Sequence, residues 1–305
     1  MNLIQLRYIR EIVRQGLSVS QASEALHTSQ SGVSRQIQLL EEELNLQIFQ
    51  RNGKRLIGIT EPGKIIATLA EKVLREIESI KKVGEEFTRK DQGNLTIATT
   101  HTQARYFLPA AVQRFMSAYP DVTLTIHQGN PTQVAEQVLS GEADIGIATE
   151  TINSYEKLFC LPCYDWNRCI VVPGDHPLLT DAPLTLEKIV RFPLITYDFA
   201  FTGGSVVKKT FHDAGLEPNI VLTAIDADVI KTYVNLGLGV GLLAAMAYDP
   251  VRDQNLRMLD VSHLFSPSTT YLGLRKDAFL REYIFDFIKL LIPDFNRKAV
   301  SDKFS

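Results

Sequence analysis

Residues 18–41 read SVSQASEALHTSQSGVSRQIQLLE, and the spacing of small, apolar and hydrogen-bonding side chains along this run decides what the front of the chain is. Ser18 stands where an N-cap belongs, and Val19–Leu26 follow at helical spacing. His27-Thr28 breaks the pattern, and Thr28 or Ser29 caps a second helix running to Glu41. Two short helices joined by so few residues form a helix-turn-helix unit, with Ala22 and Ala25 small enough to let them approach. Val33, Ile37 and Leu40 make the buried stripe of the second helix. Its other face carries Gln30, Ser31, Ser34, Arg35 and Gln38. These are side chains that read base edges: arginine pairs with guanine, glutamine with adenine, serine with either.

The flanks agree with this reading. Leu3, Leu6, Ile9, Ile12 and Val13 predict an amphipathic first helix stopped at Gly16. After the second helix, Leu46–Arg51 and Lys54–Ile59 flank Asn52-Gly53, a strong hairpin signal. Arg51, Lys54 and Arg55 cluster at its tip and suit DNA phosphates, so the hairpin reads as a wing. Residues 1–90 hold 14 basic and 11 acidic side chains against 18 and 24 in the remainder. A basic front on an acidic body places the polyanion partner at the front.

Thr60-Glu61-Pro62 opens a long helix. Ile66, Leu69, Val73, Ile80, Val83 and Phe87 form a narrow apolar seam along it, with Ile77 beside it and Glu76 interrupting. Such a stripe calls for a partner helix and predicts a dimer. Polar residues 87–94 mark a linker. Beyond them strands are predicted at 94–99, 122–127, 143–148, 168–172, 194–197, 220–224, 240–243 and 270–274. Helices are predicted at 103–119, 131–140, 184–190, 206–214, 229–236 and 279–292. The alternation implies two α/β lobes around largely parallel sheets, with ligands at the carboxyl ends of the strands.

At one such end stands Thr99-Thr100-His101-Thr102-Gln103. Free amides and the helix dipole there favour an anion, and Thr100, Thr102 and Gln103 add neutral donors for an oxoanion or carboxylate. Simple helix capping by Thr100 or Thr102 is the other reading of the run. Thr149 and the Phe201–Ser205 run with Thr202 occupy comparable strand ends, whereas Asp226 and Asp228 suit helix capping.

Taken together, Ala25–Arg51, Ile97–Tyr106, Ala143–Glu150, Leu161–Arg168, Phe201–Gly203 and Ile225–Gly241 resemble the LysR-type transcriptional regulators, over the whole chain. Ser31 departs from the proline common in the family. The resemblance implies a winged helix-turn-helix domain over 1–60, a linker and dimerisation helix over 61–91, and a two-lobed effector domain over 92–305. The lobes would be Rossmann-like and similar to periplasmic binding proteins, lobe I from about 92–162 and 267–305, lobe II from about 163–266. It is the branch controlling sulfate assimilation and cysteine biosynthesis, or a close paralogous branch, that is most similar. This implies a homodimeric or homotetrameric activator on double-stranded promoter DNA that works with RNA polymerase. Its inducer would be N-acetylserine, formed from O-acetylserine, or a sulfate-like anion; adenosine phosphosulfate would serve in the paralogous branch. By matching motif, Thr100, Thr102, Gln103, Thr149 and Thr202 would contact the effector.

Other chemistries find less support. Cys160-Leu161-Pro162-Cys163, with Cys169, has no second pair or histidine to complete a zinc site, and reads as buried structural thiols. The six histidines show no metal spacing. Gly237–Gly241 enters a strand rather than leaving one, the reverse of a dinucleotide motif. Neither an enzyme activity nor a metal or cofactor is expected. A two-lobed anion-binding protein or enzyme without DNA contact is the alternative, and it leaves residues 1–90 unexplained. No apolar run reaches the roughly 20 residues a membrane helix needs, and arginines interrupt the N-terminal apolar pattern, so no membrane contact and a cytoplasmic location are expected.

Overall fold

The computed structural model describes residues 1–53, 55–88, 90–181, 183–198 and 202–296, with only the backbone of residues 202–205. By internal contacts the chain divides into one unit ending at Glu85 and a second beginning at Glu86.

In the first unit, the Asn2 side chain accepts from the Gln5 amide while the Gln5 side chain reaches back to the Asn2 amide. This capping box starts α1 (Leu3–Arg14). Gly16 turns the chain at φ 59°. Ser18 caps α2 (Val19–Ala25) and Ser29 caps α3 (Gln30–Leu44). The last helix runs one turn beyond the expected Glu41 and stops at Asn45, in the left-handed region. Ile9, Ile12, Ala22, Val33, Ile37 and Leu40 pack into one core with Ile48, Phe49 and Leu56 of the hairpin. That hairpin is β1 (Phe49–Asn52) and β2 (Arg55–Ile59), antiparallel around Gly53 at φ 60°.

Thr60 Oγ1 accepts the Gly63 amide at 3.0 Å and opens α4 (Glu61–Thr88). Only glycine fits at 63, because a Cβ would stand 2.1 Å from the Ile48 carbonyl oxygen. At 28 residues the helix is about 42 Å long. The expected seam loses Ile66, which packs on the helix-turn-helix core. The rest of it is open in the single chain: Leu69 is 56% exposed, Ile80 70% and Phe87 82%.

The second unit holds two five-stranded sheets. Lobe I uses β3 (Gly93–Thr99), β4 (Val122–Gln128), β5 (Ile145–Thr149), β6 (Leu158–Trp166) and β12 (Ser268–Arg275). Around them stand α5 (Leu108–Ala118), α6 (Pro131–Ser140) and α10 (Glu282–Leu291). Lobe II uses β7 (Arg168–Pro173), β8 (Leu194–Tyr197), β9 (Ile220–Ala224), β10 (Val240–Ala244) and β11 (Leu256–Asp260), with α7 (Leu186–Ile189), α8 (Thr202–Asp213) and α9 (Ala227–Asn235). The orders are β4-β3-β5-β12-β6 and β11-β7-β10-β8-β9.

Both sheets are mixed, which corrects the largely parallel expectation. β4, β3 and β5 run parallel, as do β9, β8 and β10, but β12 and β6 join lobe I antiparallel, and β7 and β11 join lobe II antiparallel. The two strands missing from the sequence reading, β6 and β11, lie on sheet edges. Edge strands need no apolar run on both faces. Pro162, beside a break in the β6–β12 register, further blurs the alternation of β6.

The chain crosses between lobes at β6–β7 and again before β12. The buried Arg168 guanidinium ties the two crossings, donating to the Ser266 carbonyl at 3.1 Å and the Ser268 hydroxyl at 3.0 Å. Burial pushes its pKa down.

Candidate functional site

On α3 the residues at 30, 31, 34, 35 and 38 share one face, opposite Val33, Ile37 and Leu40. Gln30, Ser31, Arg35 and Gln38 are exposed and Ser34 is half-buried. Ser31 Oγ lies 3.3 Å from Ser29 Oγ, and Arg35 is 3.7 Å from Glu42 in an exposed pair. Of the wing residues, Arg55 is exposed, whereas Arg51 donates to the buried Glu41 at 2.9 Å. Lys54 lies outside the described residues.

In the second unit, four of the five expected effector residues come together. Thr100, Thr102, Gln103 and Thr149 from lobe I line one cavity with Trp166 and with Tyr197, Ile225 and Ala244 from lobe II. The side chain of Thr202, the fifth, lies outside the described residues. The cavity measures about 30 Å³, room for one or two waters. No charged side chain is among its described lining residues.

The helix expected from Gln103 starts differently. Residues Gln103–Phe107 wind as one wide π turn before α5. Pro109 has no N–H to close an ordinary turn there. The buried Gln103 donates to Thr270 Oγ1 at 3.3 Å and accepts from the Tyr164 hydroxyl. Tyr197 accepts the Ala244 amide at 3.3 Å. Burial pushes Tyr164 and Tyr197 up to about 12, so both remain neutral donors. Trp166 Nε1 is buried and finds no hydrogen-bond partner among the described residues. The result is a neutral cleft of hydroxyls and amides, suited to a small ligand rich in acceptors.

Trp166, Tyr197, Ile225 and Ala244 were not expected from the sequence. Trp166, Tyr197 and Ala244 end their strands, and Ile225 follows the end of another. The strand-end rule that selected Thr100 and Thr149 reaches these positions too, once β6 is recognised and the rule is applied to every strand.

The same π turn carries a polar bridge between the lobes. Arg105 Nε lies 2.7 Å from Asp228 on α9, and the Tyr106 hydroxyl donates to Asp228 at 2.8 Å. Lys231, almost fully buried, donates to Tyr106 at 3.2 Å, Asp253 at 2.9 Å and the Ala247 carbonyl at 2.8 Å. Asp226, by contrast, caps α9 through the Val229 amide. His101, Asp226 and Asp228 bring ligand atoms within 4.8 Å of one another. Asp228 is already engaged by Arg105, Tyr106 and Lys231, which makes the trio part of an ion-pair cluster. The thiols behave as buried side chains: burial pushes Cys160 up to about 11 and Cys163 and Cys169 up to about 12.

Against known proteins, residues 3–64 match the model of the bacterial regulatory helix-turn-helix proteins of the lysR family, and residues 88–295 match the LysR substrate binding domain. The chain is 52% identical over 300 residues to the HTH-type transcriptional regulator CysB of Burkholderia cenocepacia, covering 98% of this chain and 96% of that one. It is 50% identical over 301 residues to the regulator SsuR of the same organism, covering 99% and 98%. Among solved structures, the cofactor-binding domain of the Cbl transcriptional regulator superposes with a TM-score of 0.67 at 43% identity, covering 70% of this chain and 93% of that one.

Proposed function

The chain belongs to the LysR family of bacterial transcriptional regulators, DNA-binding proteins rather than enzymes, and from that premise we propose that it activates genes of sulfate assimilation and cysteine biosynthesis in response to N-acetylserine. The observation that carries the effector assignment is the neutral cavity formed by Thr100, Thr102, Gln103 and Thr149 between the lobes. An uncharged set of donors releases an anion readily, as reversible sensing requires. A carboxylate with a neighbouring amide and hydroxyl offers acceptors to the threonines and to the unpartnered Trp166 Nε1. The relatives named CysB and SsuR support the regulator class.

Gln30, Ser31, Ser34, Arg35 and Gln38 read bases in this proposal, and the wing follows the backbone. The exposed apolar stripe of α4 pairs with a second copy, and two dimers make the tetramer that works with RNA polymerase at the promoter. Leu69→Glu with Val73→Glu should then yield a monomer in sedimentation; an unchanged oligomer would remove the stripe from the interface.

Calorimetric titration of the full chain with N-acetylserine, sulfate and adenosine phosphosulfate tests the effector. N-acetylserine binding that Thr100→Val abolishes is the expected result. Adenosine phosphosulfate binding alone would move the protein to the paralogous branch. Binding that survives Thr100→Val would take the effector elsewhere.

A further inference from the structure

Glu41 is 8% exposed on the core side of α3, beside Ile37 and Leu40. A carboxylate so placed is stable only with its donors supplied. Oε1 accepts the Ile48 amide at 2.8 Å and the Phe49 amide at 3.1 Å. Oε2 accepts from the Arg51 guanidinium at 2.9 Å. One side chain of the recognition helix thus holds three donors at the root of the wing.

The strand phase explains why Arg51 turns this way. Side chains alternate across a strand, and β1 is buried at Phe49, exposed at Gln50, half-buried at Arg51 and exposed at Asn52. Arg51 therefore shares the inward side with Phe49. Arg55, paired with Asn52 across the turn, is exposed.

We propose that Glu41 and Arg51 form a strut that sets the wing against the recognition helix, and that Arg51 is a positioning residue and not a phosphate contact. The inference rests on the DNA-binding role of this unit. The strut fixes how far Arg55 stands from the base-reading face of α3, so that both meet one duplex in register. Arg51 spends its charge on Glu41, and Arg55 is the exposed wing cation among the described residues.

Glu41→Gln separates the two roles by sign. Gln keeps the shape and an acceptor for the Ile48 and Phe49 amides, but it sets an NH₂ against the guanidinium. If Arg51 held a phosphate, removing Glu41's charge would free it and tighten binding. If the strut positions the wing, binding weakens, by about tenfold for a lost charge-assisted hydrogen bond.

The experiment is fluorescence anisotropy of the full chain on a mixed-sequence duplex across a range of salt. Phosphate contacts do not depend on sequence. Arg55→Ala should reduce the salt slope by about one. Arg51→Met should weaken binding, and adding Arg55→Ala to it should change little, because the wing is already displaced. Tighter or equal binding by Glu41→Gln would overturn the proposal. So would additive slope losses in the Arg51→Met, Arg55→Ala double variant.

Amide exchange of Ile48 and Phe49 reads the strut without DNA. Both should exchange faster in Glu41→Gln than in the parent, and equal rates would overturn it. Failure of the parent chain to bind any duplex would count against the DNA-binding role instead, and exchange would still judge the strut.

Discussion

Two charged networks tie elements together in this molecule, and they differ in the length of chain they span. Glu41 reaches partners seven, eight and ten residues away, inside one core. Asp228 and Lys231 reach Tyr106 across 122 and 125 residues, from lobe II to lobe I. The short network moves with the packed cluster of Ile37, Leu40, Ile48 and Phe49, so opening it means unfolding that cluster. The long one joins lobes with distinct buried cores, the Tyr106 ring of lobe I resting on that of lobe II, and the lobes are linked by two crossing segments. It can open with both sheets intact. Rigidity at the DNA-reading end and a breakable tie at the effector end is the division of labour a ligand-controlled regulator needs.

Removing the centre of the long network should have the largest effect. Lys231→Met leaves Asp253 and the Ala247 carbonyl without their shared ammonium. Breaking a buried pair costs about 3–5 kcal/mol, which lowers the melting temperature of a domain this size by on the order of 10 °C. The exposed Arg35–Glu42 pair is the control, since Glu42→Ala should leave melting unchanged. Equal, small shifts in both variants would mean that the buried Lys231–Asp253 pair within lobe II holds nothing.

The buried and exposed faces of α3 were legible because their information is local. Val33, Ile37 and Leu40 fix which side of one helix is buried, and the polar residues between them take the other side. The meeting of Thr100, Gln103 and Thr149 at one cavity was legible for a related reason, since strand ends gather on one side whatever the sheet order. Trp166 was not, because its strand is an edge strand with Pro162 at a break in register. Asp228 was read with Asp226 as a helix cap. Only Asp226 caps; Asp228 turns to residues far away in sequence, and no periodicity announces such a partner. Arg51 shows a charge whose partner lies close by in sequence. Its charge suggested a phosphate contact, while its parity with Phe49 sets it toward Glu41, the basis of the positioning role proposed above.

A milder perturbation divides the two regions by pH. All three cysteines lie beyond residue 90. Burial lifts them from 9.0 to about 11, 12 and 12. A raised folded pKa means stability that is complete below the unfolded value and lost as pH climbs toward the folded one. The second unit should therefore weaken from about pH 9 upward, by about 1.4 kcal/mol at pH 10 for each of Cys163 and Cys169 and by less for the more exposed Cys160. The bridge follows at higher pH. Burial and the bond to Asp228 raise Tyr106 above 10.0. Burial opposes the charge on Lys231, but bonds to Asp253 and Tyr106 outweigh it and raise its pKa above 10.5. Melting followed by circular dichroism from pH 8 to about 11.5 checks the order. A flat profile through pH 10 would mean that the thiols are solvated.

The smallest change asks whether the bridge gates the proposed effector cavity. Tyr106→Phe keeps the ring and removes one hydroxyl, which donates to Asp228 and accepts from Lys231. The Arg105–Asp228 and Lys231–Asp253 pairs stay in place, so the loss should be about 1 kcal/mol. Melting will barely register it; ligand entry should. The described cavity is narrow, and parting the lobes would widen it for an amino-acid derivative. The turn that carries Tyr106 also carries Gln103 of the cavity wall. Loosening the tie by about 1 kcal/mol should raise the population of open lobes, and with it the association rate, by about fivefold. The chain's single tryptophan is Trp166, on that wall, so its fluorescence in a stopped-flow with the proposed inducer, N-acetylserine, reports entry directly. A faster association rate makes Tyr106 part of the gate. An unchanged rate would leave the bridge a static brace like the Glu41 strut, and the contrast between the two networks would be one of sequence distance alone.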